Sequence, residues 1–581
     1  MKNSVAIVIF FFLKQEIKLI INTIKFSYNF VKEFSIFRYL CYLVDNSIIP
    51  NRDKNFRNYI LKNSKKWKLK RKFINKNTNK YILITNIVNH VGYTISEIIV
   101  GKNLMEIFEC NGMAILRKYD LKSKLIFESF GIKKFIFLSD LNFFMRLKYF
   151  LKAYSIIRSH KTMDDFIEFK LNGVNLGRTV YDHYLRFTGI GTTNNFDYKL
   201  YLFLSKALSN CYQIKKIFNK FKFEACVQSE RQFIPGSIIY ETSLTNGINV
   251  YSRLGLTNAF TVRKYSDIKE MRKTRGRYSK ELYDQINNSI KEKAVEIGGN
   301  FIKKRFSGRP ENDPIHDYFE RPNFLKEKKY EKKEKITVTK KELCDRLDWN
   351  QNIPIVAILA SDLTDGVFDN SWTLFRDRFT WIRETLLEIK NVNNVNWLVK
   401  PHPNDETHKV VTDTISEYKK ICSNCKHILP FPNDVSTASI PKFVHSVITM
   451  AGSASYEYPS FGIPVFQVCE STCSGRGFTI DPGSKKEYFN LLHNIEKINK
   501  LNKNQIDQAR IYSFIFSELT KIKTNLITFF ESGGPMNDKT FWSKMIKLVE
   551  NYKEEEDLLK KMMKLQEKNN DRHTINYNLL K

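Results

Sequence analysis

The 581-residue chain is poor in cysteine, has no long apolar run and is short of acid. Its nine cysteines, irregularly spaced, make no disulfide framework; this suits a reducing compartment, and cytoplasm is the expected location. Cys422 and Cys425 form a lone CxxC, but the loose spacing of Cys469 and Cys473 speaks against a zinc site. The most apolar stretch, "SVAIVIFFFL" from Ser4 to Leu13, falls well short of the about 20 residues that a membrane-spanning helix needs. No small-residue cleavage site follows it, so a secretory signal is not expected. The next segment, Ile17 to Val44, mixes apolar and basic residues, as does a helix on a membrane surface or a helical pair packed on the protein's own core. No repeat is evident, and no paired-carboxylate metal motif stands at a strand end, so no metal or cofactor is expected.

The acid shortage is large: 94 Lys and Arg stand against 61 Asp and Glu, a net charge of +33. Such an excess favours polyanions, whether nucleic acid, anionic lipid headgroups or nucleotide-linked substrates, although codon drift in surface positions supplies much of it. The cations are spread over linkers and helices rather than interleaved with aromatics on one patch, which counts against nucleic acid.

What is present is an alternation of short apolar runs and helical periods. The expected layout is a basic, amphipathic helical extension and solvated linker over 1–79, a first α/β domain over 80–264, a charged hinge over 265–345, a second α/β domain over 346–500, and C-terminal helices over 501–581, of which the Lys- and Glu-rich tail from Asn537 is expected to be solvated. In the first domain "KYILITNIV", "KKFIFLSD" and "FEACVQSE" read as strands, which puts Asp140, Gln228, Ser229 and Glu230 at strand C-ends, where doubly wound sheets bind ligands. In the second, "IPIVAILASDLTDG" and "VNWLV" open the unit.

Two loops of the second domain carry chemistry. In "ITMAGSASYEYPSFGIPVF" a strand runs into a small-residue loop and a helix, so the amides at Gly452, Ser453, Ala454 and Ser455 could take an anion, with Glu457 near enough for ribose hydroxyls. In "NWLVKPHPND" Lys400 and His402 follow a strand directly, and Pro401 and Pro403 stiffen the loop that holds them. A cation beside an imidazole there could grip a phosphate and stabilise the charge it gains on leaving. Singly each loop reads as a cap or a stiff turn; at neighbouring strand ends of one parallel sheet they read as a site.

"VKPHPND", "ITMAGSASYEYPSFGIPVF" and "GRGFTID" (Gly475 to Asp481) together resemble the C-terminal half of bacterial capsular and surface polysaccharide biosynthesis proteins. The loop pair also looks like that of Kdo transferases, polysialyltransferases and teichoic-acid glycerophosphotransferases, and "LNGVNLGRTVYDHYLR" (Leu171 to Arg186) looks like a segment of the same polysaccharide proteins. The resemblance implies a GT-B glycosyltransferase: two Rossmann-like domains facing a cleft, with helical N- and C-terminal extensions. It implies a nucleotide-sugar donor as co-substrate, with His402 on the donor phosphate, Lys400 assisting, Ser453, Ser455 and the Gly452 amide holding the same group, and Glu457 on the ribose. Arg476, a long cation in a glycine loop, departs from the pattern and could contact the donor. A base for the acceptor hydroxyl is expected from Asp182, Glu230 or Asp140. The expected partners are a lipid-linked or glycan acceptor and the inner face of the cell membrane. The alternatives are a transferase of polyol phosphate from a cytidine nucleotide, a basic nucleic-acid-binding protein and a non-catalytic scaffold.

Overall fold

The computed structural model describes residues 51–68, 79–88, 91–116, 120–138, 141–254, 258–269, 281–307, 335–368, 373–528 and 540–581. The apolar N-terminal segments and Asp140 lie outside them. The chain divides into two compact units, one within Met1–Phe166, Asn195–Gln228 and Asn525–Asp557, the other within Ile167–Asn194, Ser229–Thr524 and Leu558–Lys581. It is an α/β protein, with a Rossmann-like parallel sheet in each unit.

In the first unit, β1 (Lys80–Asn86) pairs in parallel with β2 (Asn111–Leu116) on one side and β4 (Lys222–Val227) on the other, and β2 pairs with β3 (Lys134–Phe137). Ile82, Leu83 and Ile84 of β1 are wholly buried because both faces of a parallel sheet are covered. Gly92 lies in the first turn of the helix Val91–Ile107. Part of the expected solvated linker is in fact an 18-residue helix, Asn51–Lys68. Its Phe56 and Tyr59 pack on Trp542 at 4.6 and 5.2 Å, and Trp67 lies 5.5 Å from Tyr552. The helix Phe541–Asn551 that supplies Trp542 also buries Phe541, Met545 and Val549, so this part of the C-terminal extension is packed rather than solvated.

The second unit holds a five-stranded sheet of β7 (Ile355–Leu359), β8 (Asn396–Lys400), β9 (Ile428–Pro430), β10 (Val444–Thr449) and β11 (Val465–Gln467), in the order β11-β10-β7-β8-β9. Val356 and Ile358 face a core with Trp381 and Leu386, while Ile355 and Ala357 face another with Leu343 and Tyr458, which is why β7 reads as an unbroken apolar run. β5 (Asn249–Leu254), β6 (Ala259–Tyr265) and β12 (Ile522–Lys523) form antiparallel pairs in the same unit. The expected hinge supplies the 20-residue helix Asn288–Ser307, which buries Ala294, Gly298, Gly299 and Ile302. The helix Leu176–Thr188, read from sequence as part of the first domain, belongs to the second unit.

Among the described residues no helix is long and apolar enough to cross a membrane.

Candidate functional site

The strand order reverses at β7: the chain steps outward to β8 and β9, then returns to the other side for β10 and β11. Such a switch point opens a crevice at the strand C-termini. Leu359, the last residue of β7, is in register with Lys400 on β8 and with Thr449 on β10, so the two candidate loops leave the sheet from one row.

After Lys400, the His402 Nδ1 accepts a hydrogen bond from the Asn404 amide at 3.2 Å, which assigns the ring proton to Nε2. Burial, reinforced by Arg378, Lys400 and His408 against the opposing charge of Asp362, pushes His402 down to about 4, so the ring is neutral at pH 7. Lys400 is pushed down to about 8 by burial and by Lys335, against the pull of Asp405, and stays largely cationic at neutral pH.

Behind this loop lies a polar cluster that spacing alone did not expose. Asp362, after β7, faces the His408 Nδ1 at 2.5 Å. Burial alone would raise its carboxyl, but His408, Arg378 and the Thr364 amide hold it well below the usual range. Asp405, 6% exposed, accepts from the Leu363 amide at 3.5 Å through one oxygen, while its other oxygen is buried without a protein partner. Burial first, then the charge of Asp362, pushes Asp405 up to about 7. Arg378 donates to the carbonyls of Asp362 (2.5 Å) and Gly366 (3.1 Å) and so staples the 361–368 loop. The polar run "SDLTDG" after an apolar strand was the available signal for Asp362; nothing in the sequence marked Arg378 or His408.

The same loop receives two of the expected catalytic candidates' neighbourhoods. The Asp182 carboxylate, 5% exposed, accepts from the amides of Val367 and Phe368. Glu230 is partly exposed and accepts from the Gln232 amide at 2.8 Å. The Gln232 side chain lies against Gly366, whose φ of +66° and lack of a Cβ allow the approach.

At β10 the expected helix is short: Ala454–Glu457, followed by a 3₁₀ turn at Pro459–Phe461. Gly452 takes φ +125° with open space where a Cβ would stand, and Ser453 makes no side-chain cap. The Ser455 amide and hydroxyl both turn back onto the Gly452 carbonyl, at 3.2 and 2.6 Å. Glu457 is ion-paired at 2.6 Å with Arg305, the two side chains almost fully buried. Arg476 lines a separate cavity of about 190 Å³ with Tyr283, Asp284, Phe478, Gln508 and Tyr512. Of the four cysteines of the considered zinc site, Cys469 donates to the Met450 carbonyl and Cys422 to that of Leu386. Among the described residues no three of His, Cys, Asp or Glu are grouped to hold a metal ion.

The structure thus brings together Lys400, His402, Gly452 and Ser453 at one sheet edge, with Asp182 and the Glu230 loop on the neighbouring 361–368 loop. It sets Glu457 and Arg476 in other contacts.

No family model and no curated protein matches the chain. Among solved structures it is similar to the beta-Kdo 2,7 transferase KpsC of Thermosulfurimonas dismutans, at 13% identity over 58% of this chain and 89% of that one, with a TM-score of 0.31. It is also similar to a glycosyltransferase from Rickettsia africae ESF-5, at 12% identity over 76% and 94% with a TM-score of 0.24. A third is the UDP-GlcNAc 2-epimerase from Neisseria meningitidis bound to UDP-GlcNAc, at 11% over 75% and 95% with a TM-score of 0.23. The fold itself stands on the strand order and register given above.

Proposed function

We propose that the protein is a glycosyltransferase that uses a nucleotide-activated sugar in surface or capsular polysaccharide synthesis, with a lipid-linked or glycan acceptor at the inner face of the cell membrane. The observation that carries this reading is the single row Lys400, Leu359, Thr449, which delivers a cation with a neutral imidazole donor and an open Gly-Ser loop to the two sides of one switch-point crevice. In this reading the Lys400 ammonium and the His402 Nε2–H hold the donor phosphate and meet the negative charge that grows on it as the sugar departs. The Gly452 amide and Ser453 hold the same phosphate from the β10 side, with Ser455 fixing the turn. Glu230 is the proposed base for the acceptor hydroxyl, and Asp182 supports the loop between them. Glu457, held by Arg305, steadies the short helix, and Arg476 serves its own cavity.

A thermal-shift comparison of cytidine, uridine and guanosine nucleotides tests this. One nucleotide class is expected to stabilise the wild type, as any ligand selective for the folded state must, and Lys400→Ala and His402→Ala are expected to lose that response. Absence of stabilisation by all three, or equal shifts in the variants, would overturn the donor site.

A further inference from the structure

The helix Phe143–Ser159 buries Tyr149, Phe150, Ala153 and Ile157 on one side. Its other side is not the polar face that a solvated helix shows. Phe144 is 79% exposed, Leu151 46% and Phe143 40%. Phe144, Leu147 and Leu151 fall at i, i+3 and i+7, one stripe, and Lys148 and Lys152 stand exposed beside it. The partner against which this helix packs within the first unit is Tyr198–Lys220, through Tyr149 on Tyr212 at 5.9 Å and Tyr154 on Tyr201 at 5.7 Å. The first helix carries four Lys or Arg and the second five Lys, and neither contains a single Asp or Glu. In a chain with 61 acids, two packed helices without one carry charges of a single sign, and Asp197, the N-cap of the second, is an acid at their border. The edge strand β3, just ahead of the first helix, adds Phe137 at 44% exposure.

We infer that this helix pair is a membrane-binding face whose partner is a bilayer surface containing anionic lipid. Phenylalanine and leucine at the centre of a basic field are what such a surface uses: the apolar side chains enter the headgroup boundary while the lysine stems run alongside and their ammonium groups stay at the phosphates. A nucleic-acid backbone would match the cations but leave the exposed Phe144 and Leu151 with nothing to bury against. The inference rests on the membrane contact proposed above and is independent of the donor reading.

The test is co-sedimentation of the full chain with vesicles of phosphatidylcholine alone and of phosphatidylcholine mixed with phosphatidylserine. The wild type is expected to bind the mixed vesicles, and less so as salt rises. Phe144→Ser/Leu151→Ser and Lys148→Glu/Lys152→Glu are each expected to weaken that binding by about tenfold or more. All four positions are solvent-exposed, so the melting temperature should hold; should a double variant unfold, Phe144→Ser alone carries the comparison. Wild type that ignores mixed vesicles overturns this face and the membrane contact together. Wild type that binds while both double variants bind as well overturns this face alone. Duplex DNA bound without vesicle binding, and lost only in the lysine variant, overturns it in favour of nucleic acid. None of these results touches the nucleotide response, which tests the donor site separately.

Discussion

Asp182 holds Val367: its carboxylate accepts that backbone amide at 2.9 Å, and its second oxygen takes the amide of Phe368 at a longer 3.4 Å. A residue so engaged fixes the loop that lies behind Asp405 and His408. Asp182→Asn keeps one acceptor but turns an amide nitrogen towards a backbone N–H, and is expected to lower stability by about 1–3 kcal/mol. Thermal denaturation checks it. A catalytic base would show the reverse, lost turnover with an unchanged melting temperature.

Arg305 and Glu457 make the second prediction. Their side chains are only 5% and 10% exposed, so removing one takes the ion pair from a buried charge. Arg305→Ala is expected to cost about 3–5 kcal/mol, and replacing both residues with apolar side chains of similar size far less. Urea midpoints of the single and double variants separate the two cases.

Gly298 makes the third. A Cβ there would stand 1.9 Å from the Arg510 carbonyl oxygen, a backbone atom that cannot step aside. Gly298→Ala is expected to destabilise by about 3 kcal/mol through overpacking, whereas Gly247→Ala, where a Cβ meets nothing, costs only the strain of its φ of +72°. Denaturant titration of the pair shows which effect dominates.

The fourth prediction concerns pH. Asp405 rises from its ordinary 3.8 to about 7, so the folded state holds a proton that the unfolded state releases, and its contribution to stability grows as pH falls through that window. His402 drops from 6.5 to about 4, so its contribution is present above pH 6.5 and is lost as pH falls towards 4. The two slopes oppose each other in the wild type. Asp405→Asn is therefore expected to be more stable than wild type at neutral pH and to lose stability more steeply on acidification; His402→Gln is expected to shift the slope the other way. Each unit of displacement is worth about 1.4 kcal/mol, which stability curves measured across the window resolve.

Lys400 sets the fifth. With its ammonium pushed down to about 8, nucleotide affinity is expected to fall above pH 8, approaching tenfold per pH unit as the proton that the phosphate requires is lost. Calorimetry with the stabilising nucleotide measures this, and Lys400→Arg, whose guanidinium stays charged across the range, should flatten the dependence.

Much of this architecture was legible because parallel strands bury both faces and so read as unbroken apolar runs, and because proline and glycine mark the loops between them. The HP loop and the Gly-Ser loop carry that mark. The helix Asn51–Lys68 was missed although Phe56, Tyr59, Asn63 and Trp67 fall on one face, since lysine, arginine and asparagine outweigh them in composition. The helix Asn288–Ser307 reads as hinge for a different reason. It packs by letting a backbone come close at Gly298 rather than by large apolar side chains, and close approach leaves little mark in a hydropathy pattern. The Asp362, His408 and Asp405 cluster joins the loops after β7 and β8, a contact no local spacing encodes.

Lys400 and Thr449 answer to the same residue, Leu359, and this makes the gap between the two loops a property of the backbone. Two strand spacings, about 10 Å in all, separate their starting points whatever side chains the loops carry. The crevice works as a fixed caliper: substitutions in either loop change what is gripped, while the span stays the same. Its weak point is far from the ligand. One residue inserted within β7 would turn every side chain beyond it to the opposite face and take both jaws out of line at once.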